Sequence, residues 1–251
     1  MNDRDDNIQN LERQIEGKNP VLEALHSGRA IEKIFVTETD GDRRVREILS
    51  KAADRKIKVK KVDKNYISKI AKTPVHQGIV AVTTPYRYAS VDSIVERARS
   101  IGESPFVLVL DHIKDPHNFG AIIRTAEACG VHGIIIPKVR AVGITPTVVK
   151  ASAGAVEHIP IARVTNIANT IDKLKELGLW IAGASMEGEP YTSHDFEGPI
   201  GIGVGSEGEG ISRLVKEKCD LLLSIPMKGQ INSLNVSVAT SVLLYEAVMQ
   251  R

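Results

Sequence analysis

The chain has 251 residues, 42% of them apolar and 25% charged, with a formal net charge of +2. That length allows one large domain or two ordinary ones, and the composition is that of a folded globular protein rather than a disordered or fibrous one. No apolar run approaches the roughly 20 residues a membrane span needs. The opening MNDRDDNIQN has no apolar segment of signal-peptide type, and Cys129 and Cys219 show neither a disulfide framework nor metal-type spacing. A cytoplasmic, reducing location is the expectation, with no metal and no membrane partner.

Charge is unevenly distributed. Residues 11–84 hold 16 Lys+Arg against 10 Asp+Glu, whereas residues 85–251 hold 16 against 18. The basic first third is suited to a polyanion. After a flexible start over 1–13, NPVLEALHSG (19–28) reads as a helix with Asn19 as N-cap, Pro20 at its first position and Gly28 as its stop. A strand over 31–38, a helix over 42–56, a strand over 56–63, a short helix over 65–72 and a strand over 76–86 follow. This alternation predicts a small α/β domain over 14–86. In KIKVKKVD, Lys56, Lys58 and Lys60 alternate with Ile57 and Val59, so period two puts the lysines on one face. They either protect an edge strand from aggregation or contact phosphates. Lys18 and Arg29 are further candidates for phosphate contact. His76 and Gln77 could read base edges or simply shape the start of a strand.

Residues 87–104 carry charge and a possible short helix, and are expected to link to a second domain over 105–251. There, FVLVLD, GIIIP, PIARV, WIAGAS, PIGIGVG and LLLSIP alternate with helical segments over 118–130, 147–158, 166–178, 211–219 and the C-terminus. Runs with so little polar alternation suit strands buried on both faces of a mostly parallel sheet of about six strands.

Ligands of such sheets bind beyond the carboxyl ends of the strands, and three of these ends are unusual. DPHNFGAIIRTAEACG places Asn118 where it can cap a helix, with Arg124 six residues further on in an otherwise small and apolar stretch. Arg124 could form a surface pair with Glu127 or Asp111, or present a guanidinium to phosphate or to a proton transfer. GVGSEGEGIS matches GxGxxG at Gly203, Gly205 and Gly208, but only 43 residues follow Gly208, too few for a dinucleotide fold. Glu207 would also repel a pyrophosphate. In IPMKGQINSLNVSVAT, capping by Ser233 or Asn235 accounts for only one of the polar residues. A pocket of main-chain amides and carbonyls, walled by Ile225 and Leu234, would recognise a flat uncharged heterocycle such as adenine.

DPHNFGAIIRTA, VGSEGEG and IPMKGQINSLNVSVAT resemble, in order and spacing, the three motifs of the SpoU/TrmH family of RNA ribose 2′-O-methyltransferases in the SPOUT superfamily. IEGKNPVLEAL and HQGIVAV resemble the family's N-terminal substrate-binding domain, which is L30e-like. The resemblance is greatest to bacterial enzymes that methylate a guanosine of 23S rRNA. It implies an α/β SPOUT domain with a deep trefoil knot around residues 203–240. It also implies S-adenosylmethionine bound through Gly205, Ile225 and Leu234, and a homodimer. The catalytic set it implies is Arg124, Asn118, Glu207, Asn235 and Ser233, with Arg124 either the base for the 2′-hydroxyl or a clamp on the adjacent phosphate. A tRNA ribose methyltransferase, a non-catalytic ribosome-assembly factor and an antibiotic self-resistance enzyme are the alternatives.

Overall fold

A computed structural model describes residues 13–37 and 42–251. The expected flexible start lies outside these residues apart from Arg13. The chain divides into two compact units. One comprises the described residues up to Arg87 together with Gly143–His158, the other Tyr88–Val142 together with Ile159–Arg251.

The first unit contains strands β1 (Gln14–Glu16), β2 (Ile31–Thr37), β3 (Lys58–Val62) and β4 (Ile79–Thr83), and helices α1 (Lys18–His26), α2 (Arg43–Asp54) and α3 (Lys64–Ile70). The sheet order is β1-β4-β2-β3, with β2 and β3 parallel and β4 antiparallel to both β1 and β2. Asp42 and Asp63 cap α2 and α3 by accepting main-chain N–H groups, as aspartates at this position do. The cap of α1 is not Asn19. Gly17, at φ 95°, precedes the helix without a side-chain cap, because a left-handed entry suits only glycine. Three-residue β1 is too short to announce itself by periodicity. It is held by Glu16, whose fully buried carboxylate accepts Lys72 N–H at 2.5 Å, Thr73 N–H at 2.9 Å and the Thr73 hydroxyl at 2.5 Å.

Residues 147–158 were expected to be one helix of the second domain, but the segment 143–158 folds with the first unit, as a helix over Pro146–Ala151 (α6 in chain order) and a 3-10 turn over Ala155–Glu157. Arg29 pins it. Its guanidinium pairs with Glu157 at 2.5 Å, with side chains only 9% and 5% exposed. It also donates to the Thr84 carbonyl at 3.1 Å and lies near the Tyr86 ring. Burial pushes the Glu157 carboxyl up and the Arg29 charge opposes that rise. Removing either partner would strand a buried charge.

The second unit contains strands β5 (Phe106–Asp111), β6 (Gly133–Pro137), β7 (Ile161–Val164), β8 (Trp180–Pro190), β9 (Ile200–Gly205) and β10 (Leu221–Ser224). Their order is β10-β8-β9-β5-β6-β7, and every neighbouring pair is parallel. All residues of β5, β6 and β9 are buried, as expected for strands covered on both faces. Each buried aliphatic side chain contributes roughly 1.5–3 kcal/mol relative to exposure. The covering helices are α4 (Val91–Ser100), α5 (Pro116–Ala128), α7 (Ile167–Glu176), α8 (Arg213–Lys218) and α9 (Val236–Gln250). Among the described residues, no helix is long and apolar enough to cross a membrane.

Two expectations differ here. Residues 87–104 are not a bare link. Val91, Ile94 and Val95 of α4 are buried in one cluster with Val107, Val109 and Ile135. A Cβ on Gly133 would stand 2.6 Å from Ile94, so α4 lies tightly on β6. The possible short helix of 87–104 is thus present as α4, and what the charges of VDSIVERARS masked is the burial of its apolar stripe in the core. Strand β8 runs on past Ser185 to Pro190 and regains β10 through an irregularity between Leu222 and Leu223.

His132 closes the amino end of the sheet. Its buried ring accepts the Phe106 N–H on Nδ1 at 3.0 Å, and Nε2 lies 3.1 Å from Glu103. Burial holds its pKa below the usual histidine value, with Glu103 opposing. The unfolded chain therefore binds the proton more readily. This group's stabilisation is complete above about pH 6.5 and is lost as pH falls toward the depressed folded value. Thermal unfolding should show a lower melting temperature at pH 5.5 than at pH 7.5, and His132→Gln should flatten that difference. An unchanged pH slope in the variant would remove His132 as its source.

Candidate active site

In the sheet order, the chain proceeds from β5 to β6 and β7 on one side, while β9 and β8 lie on the other. The β5/β9 boundary is thus a topological switch point, where connections diverge and leave a crevice at the carboxyl ends. Asp111 and Gly205, the last residues of these strands, are register partners. The buried Asp111 carboxylate accepts the Ser212 N–H at 2.7 Å, tying the start of α8 to the end of β5.

Three loops meet there. After β5, Asp115 caps α5 by accepting the Asn118 N–H at 2.7 Å, with Pro116 in the first turn. Asp115, not Asn118, is therefore the cap, a role that Asp-Pro spells out in sequence. The Asn118 side chain is left free for tertiary contact. Its Nδ2 donates to Glu207 Oε1 at 2.9 Å. Asn235 Nδ2 donates to the same Glu207 oxygen at 2.7 Å and lies 3.0 Å from Asn118 Oδ1. Asn235 Oδ1 in turn caps α9, accepting the Ser237 N–H at 2.9 Å and the Ser237 hydroxyl at 2.6 Å. Ser237 was not singled out from sequence, although its place two residues after an N-cap was a usable signal. The carboxylate oxygen takes two amide donors, and charge-assisted bonds of this kind are stronger than neutral ones.

The turn carrying Glu207 is built by glycine. A Cβ on Gly205 would stand 1.8 Å from the Gly210 carbonyl carbon, because residues 206–210 fold straight back on the strand end through a Ser206–Gly210 bridge. Gly208 and Gly210 have φ of 84° and 66°. The glycines thus serve close backbone packing and turn geometry.

Arg124 and Ser233 stand apart from this network. Arg124 is exposed on α5 and, among the described residues, neither its side chain nor that of Ser233 has a hydrogen-bond or ion-pair partner. Neither surface pair imagined for Arg124 forms. Ile225 is half-buried and Leu234 is 37% exposed. Between them, no main-chain group from Met227 to Leu234 is hydrogen-bonded to a described residue. Unpaired amides and carbonyls beside two apolar side chains fit the recognition of an adenine by backbone groups. Both thiols are pushed up to about 11 by burial, so neither offers a thiolate near neutrality. Among the described residues no group of three His, Cys, Asp or Glu could hold a metal ion.

In the first unit the candidate RNA contacts separate. Lys58 and Lys60 are exposed on β3, but Lys56 precedes the strand at φ 54° and does not share its pleat. Lys18 pairs with Asp42 at 2.5 Å, and that bond holds the Asp42 carboxyl below the usual range. Arg29 is buried against Glu157 and is not placed to meet phosphate. Gln77 accepts the Lys18 N–H at 3.0 Å, and His76 Nδ1 accepts the Gly78 N–H at 3.2 Å.

Residues 105–245 match the model of the SpoU rRNA Methylase family, and residues 14–89 match that of RNA 2′-O ribose methyltransferase substrate binding. A Staphylococcus saprophyticus protein assigned by name to the TrmH family of tRNA/rRNA methyltransferases is 48% identical over 94% of this chain and 95% of its own. Among solved structures, the SpoU methyltransferase AviRb from Streptomyces viridochromogenes in complex with AdoMet superposes with a TM-score of 0.81. It is 25% identical, over 100% of this chain and 99% of that one. An AdoMet-bound rRNA methyltransferase from Sinorhizobium meliloti gives 0.79 at 27% identity, covering 98% and 94%. The A. aeolicus TrmH/SpoU tRNA modifying enzyme gives 0.54 at 32% identity, covering 64% of this chain and 83% of that one.

The packing of the Glu207 turn makes a direct prediction. Gly205→Ala should cost about 3 kcal/mol or prevent folding, because backbone cannot yield. Gly203→Ala, whose Cβ would lie 3.7 Å from the nearest atom, should cost less than about 1 kcal/mol. Chemical denaturation measures both, and equal stabilities would contradict the described turn.

Proposed function

The chain belongs to the SpoU/TrmH family of S-adenosylmethionine-dependent RNA methyltransferases, and from that premise we propose that it methylates a ribose 2′-hydroxyl in RNA, a guanosine of 23S rRNA. The observation that carries this reading is the junction of Asn118, Glu207 and Asn235 at the switch-point crevice. An rRNA target is favoured over tRNA by coverage. The rRNA methyltransferase from Sinorhizobium meliloti covers 98% of this chain and so spans both units, whereas the tRNA-modifying enzyme covers 64%. The matching substrate-binding segment, 14–89, supports an RNA partner for the first unit.

When bound, S-adenosylmethionine supplies a methyl group already activated on a sulfonium. The chain's own task is to place a 2′-oxygen and to take its proton. The main-chain groups of 227–234 and the apolar Ile225 and Leu234 suit the adenosyl end, with Gly205 shaping the neighbouring turn. Glu207, fixed by two amides, keeps those amides oriented, so the polar floor of the crevice is preorganised. Holding the hydroxyl in line contributes much of the rate. The exposed, unpartnered Arg124 is available to an RNA phosphate, and a guanidinium there favours loss of the adjacent hydroxyl proton. Ser233, also unengaged, can bond to the ribose.

Two further features support family-like architecture. The chain leaves β10 at the sheet edge and reaches Asn118, which follows β5, within the ten residues from Ile225 to Leu234. It therefore crosses the ends of β8 and β9. We read this crossing as part of the trefoil knot. Helix α9 buries Leu243, Leu244 and Ala247, yet Val238, Tyr245 and Met249 are 48%, 51% and 82% exposed. Spaced by seven and four, they form one stripe, and we read it as the face that meets a second copy of the chain.

Mapping ribose methylation of 23S rRNA with and without the protein tests the target. Loss of one guanosine signal on deletion, restored by wild type but not by Arg124→Ala, is expected. The variant should retain S-adenosylmethionine affinity within a few-fold by calorimetry. Restoration by the variant would take Arg124 out of the chemistry, and a signal lost from tRNA instead would reassign the substrate.

A further inference from the structure

The first unit carries an aromatic and cationic constellation that lies outside the catalytic loops. Register pairs Lys58 with Lys33 and Lys60 with Phe35. Parallel partners share a sheet face, so these four side chains lie on one side. Phe35 belongs there to the cluster with Ile67 of α3 and Val80. Tyr66, also on α3, rests against Phe35 with ring centroids 5.7 Å apart and planes at 40°, yet stays 38% exposed. The Lys33 ammonium is 5.0 Å from the Phe35 centroid, and that of Lys60 is 5.7 Å from the Tyr66 centroid. An open cleft of about 600 Å³ runs past Tyr66, bordered by Lys60, Lys61 and Lys64. Among the described lining residues the one carboxylate, Asp63, accepts the Tyr66 N–H at 2.8 Å as the helix cap.

We propose that this cleft is a subsite for an unpaired nucleotide of the RNA substrate, its base stacked on Tyr66 and its phosphates met by Lys60 and Lys64. The inference rests on the RNA reading above and adds where, and in what form, the strand is gripped. A tyrosine ring braced from within by Phe35 and open to water is a rigid platform, and stacking on it is insensitive to base identity. Lys60 lies near the outer limit of cation–π contact, about 6 Å. It is solvent-exposed, so an arriving base can displace its ammonium onto the neighbouring phosphate. Bases of a duplex are stacked on one another and offer no free face. The subsite therefore selects single-stranded or looped RNA. An acidic peptide would satisfy the lysines but leave the ring unused.

Fluorescence anisotropy with the full chain, a labelled uridine decamer and a ten-base-pair RNA duplex tests this. Tyr66→Ala should weaken decamer binding about ten-fold or more without changing its salt dependence, and Tyr66→Phe should bind within two-fold of wild type. Lys60→Ala with Lys64→Ala should lower the salt slope by about 1 to 1.5. Should Tyr66→Ala not fold, the wild type still decides, because a 4-thiouridine decamer should cross-link to the peptide containing Tyr66. Decamer binding indifferent to Tyr66, cross-links confined to other peptides, or stronger binding of an acidic peptide would each overturn the subsite. S-adenosylmethionine titration keeps the two readings separate. A wild type that binds the cofactor but not the decamer loses only the subsite, whereas one that binds no cofactor loses the methyltransferase reading.

Discussion

One carboxylate oxygen organises the second unit's functional end. Glu207 Oε1 accepts the amides of Asn118 and Asn235 at 2.9 and 2.7 Å, joining loops that follow β5, β9 and β10. Loops are costly to order, and a side-chain junction in a solvent-facing crevice is stable only if each member is also held from behind. Each is: Asn118 by the Asp115 cap, Asn235 by its own bonds to Ser237, and Glu207 by a turn that no side chain at 205 could enter. The junction thus converts three rigid supports into one fixed polar surface.

Those supports follow from the sheet. Strands β5 and β9 are buried on both faces, so their ends cannot move without opening the core. The switch point between them supplies a concavity, and the unpaired main chain of 227–234 borders it with donors and acceptors. Such a surface suits a reaction whose methyl donor is already activated, because what remains is placement and one proton. The first unit has a different design. Among the described residues, Arg29 is buried beside Tyr86, whereas Lys60 and its lysine neighbours gather at the exposed ring of Tyr66. In the proposed reading, catalysis and grip fall to separate parts of the chain.

Much of this was legible in the sequence, for physical reasons that differ by element. Apolar runs such as FVLVL and GIIIP announced buried parallel strands, and the three polar motifs at strand ends marked Asn118, Glu207 and Asn235, which the structure brings together. Other features were hidden. Arg29 looked like a phosphate ligand because its partner, Glu157, is 128 residues away. The strand β1 is three residues long and depends on a tertiary carboxylate network. Alternation placed Lys56 with Lys58 and Lys60, but a left-handed turn at Lys56 ends the pleat before it. The short helix in 87–104 was foreseen, but its place in the core was hidden by its solvent-facing charges, and Tyr66 gained meaning only when Phe35 and Lys60 arrived beside it from β2 and β3.

The central claim is that Glu207 acts by fixing the two asparagine amides where the ribose is received. Single-turnover methyl transfer to 23S rRNA by Glu207→Gln, with thermal stability and S-adenosylmethionine affinity measured alongside, tests it most directly. Removing the charge weakens both amide contacts, and a misplacement of about 1 Å costs about 100-fold in rate. The account predicts a loss of that order, with cofactor affinity within a few-fold and a near-native melting temperature. A variant as fast as wild type would contradict it.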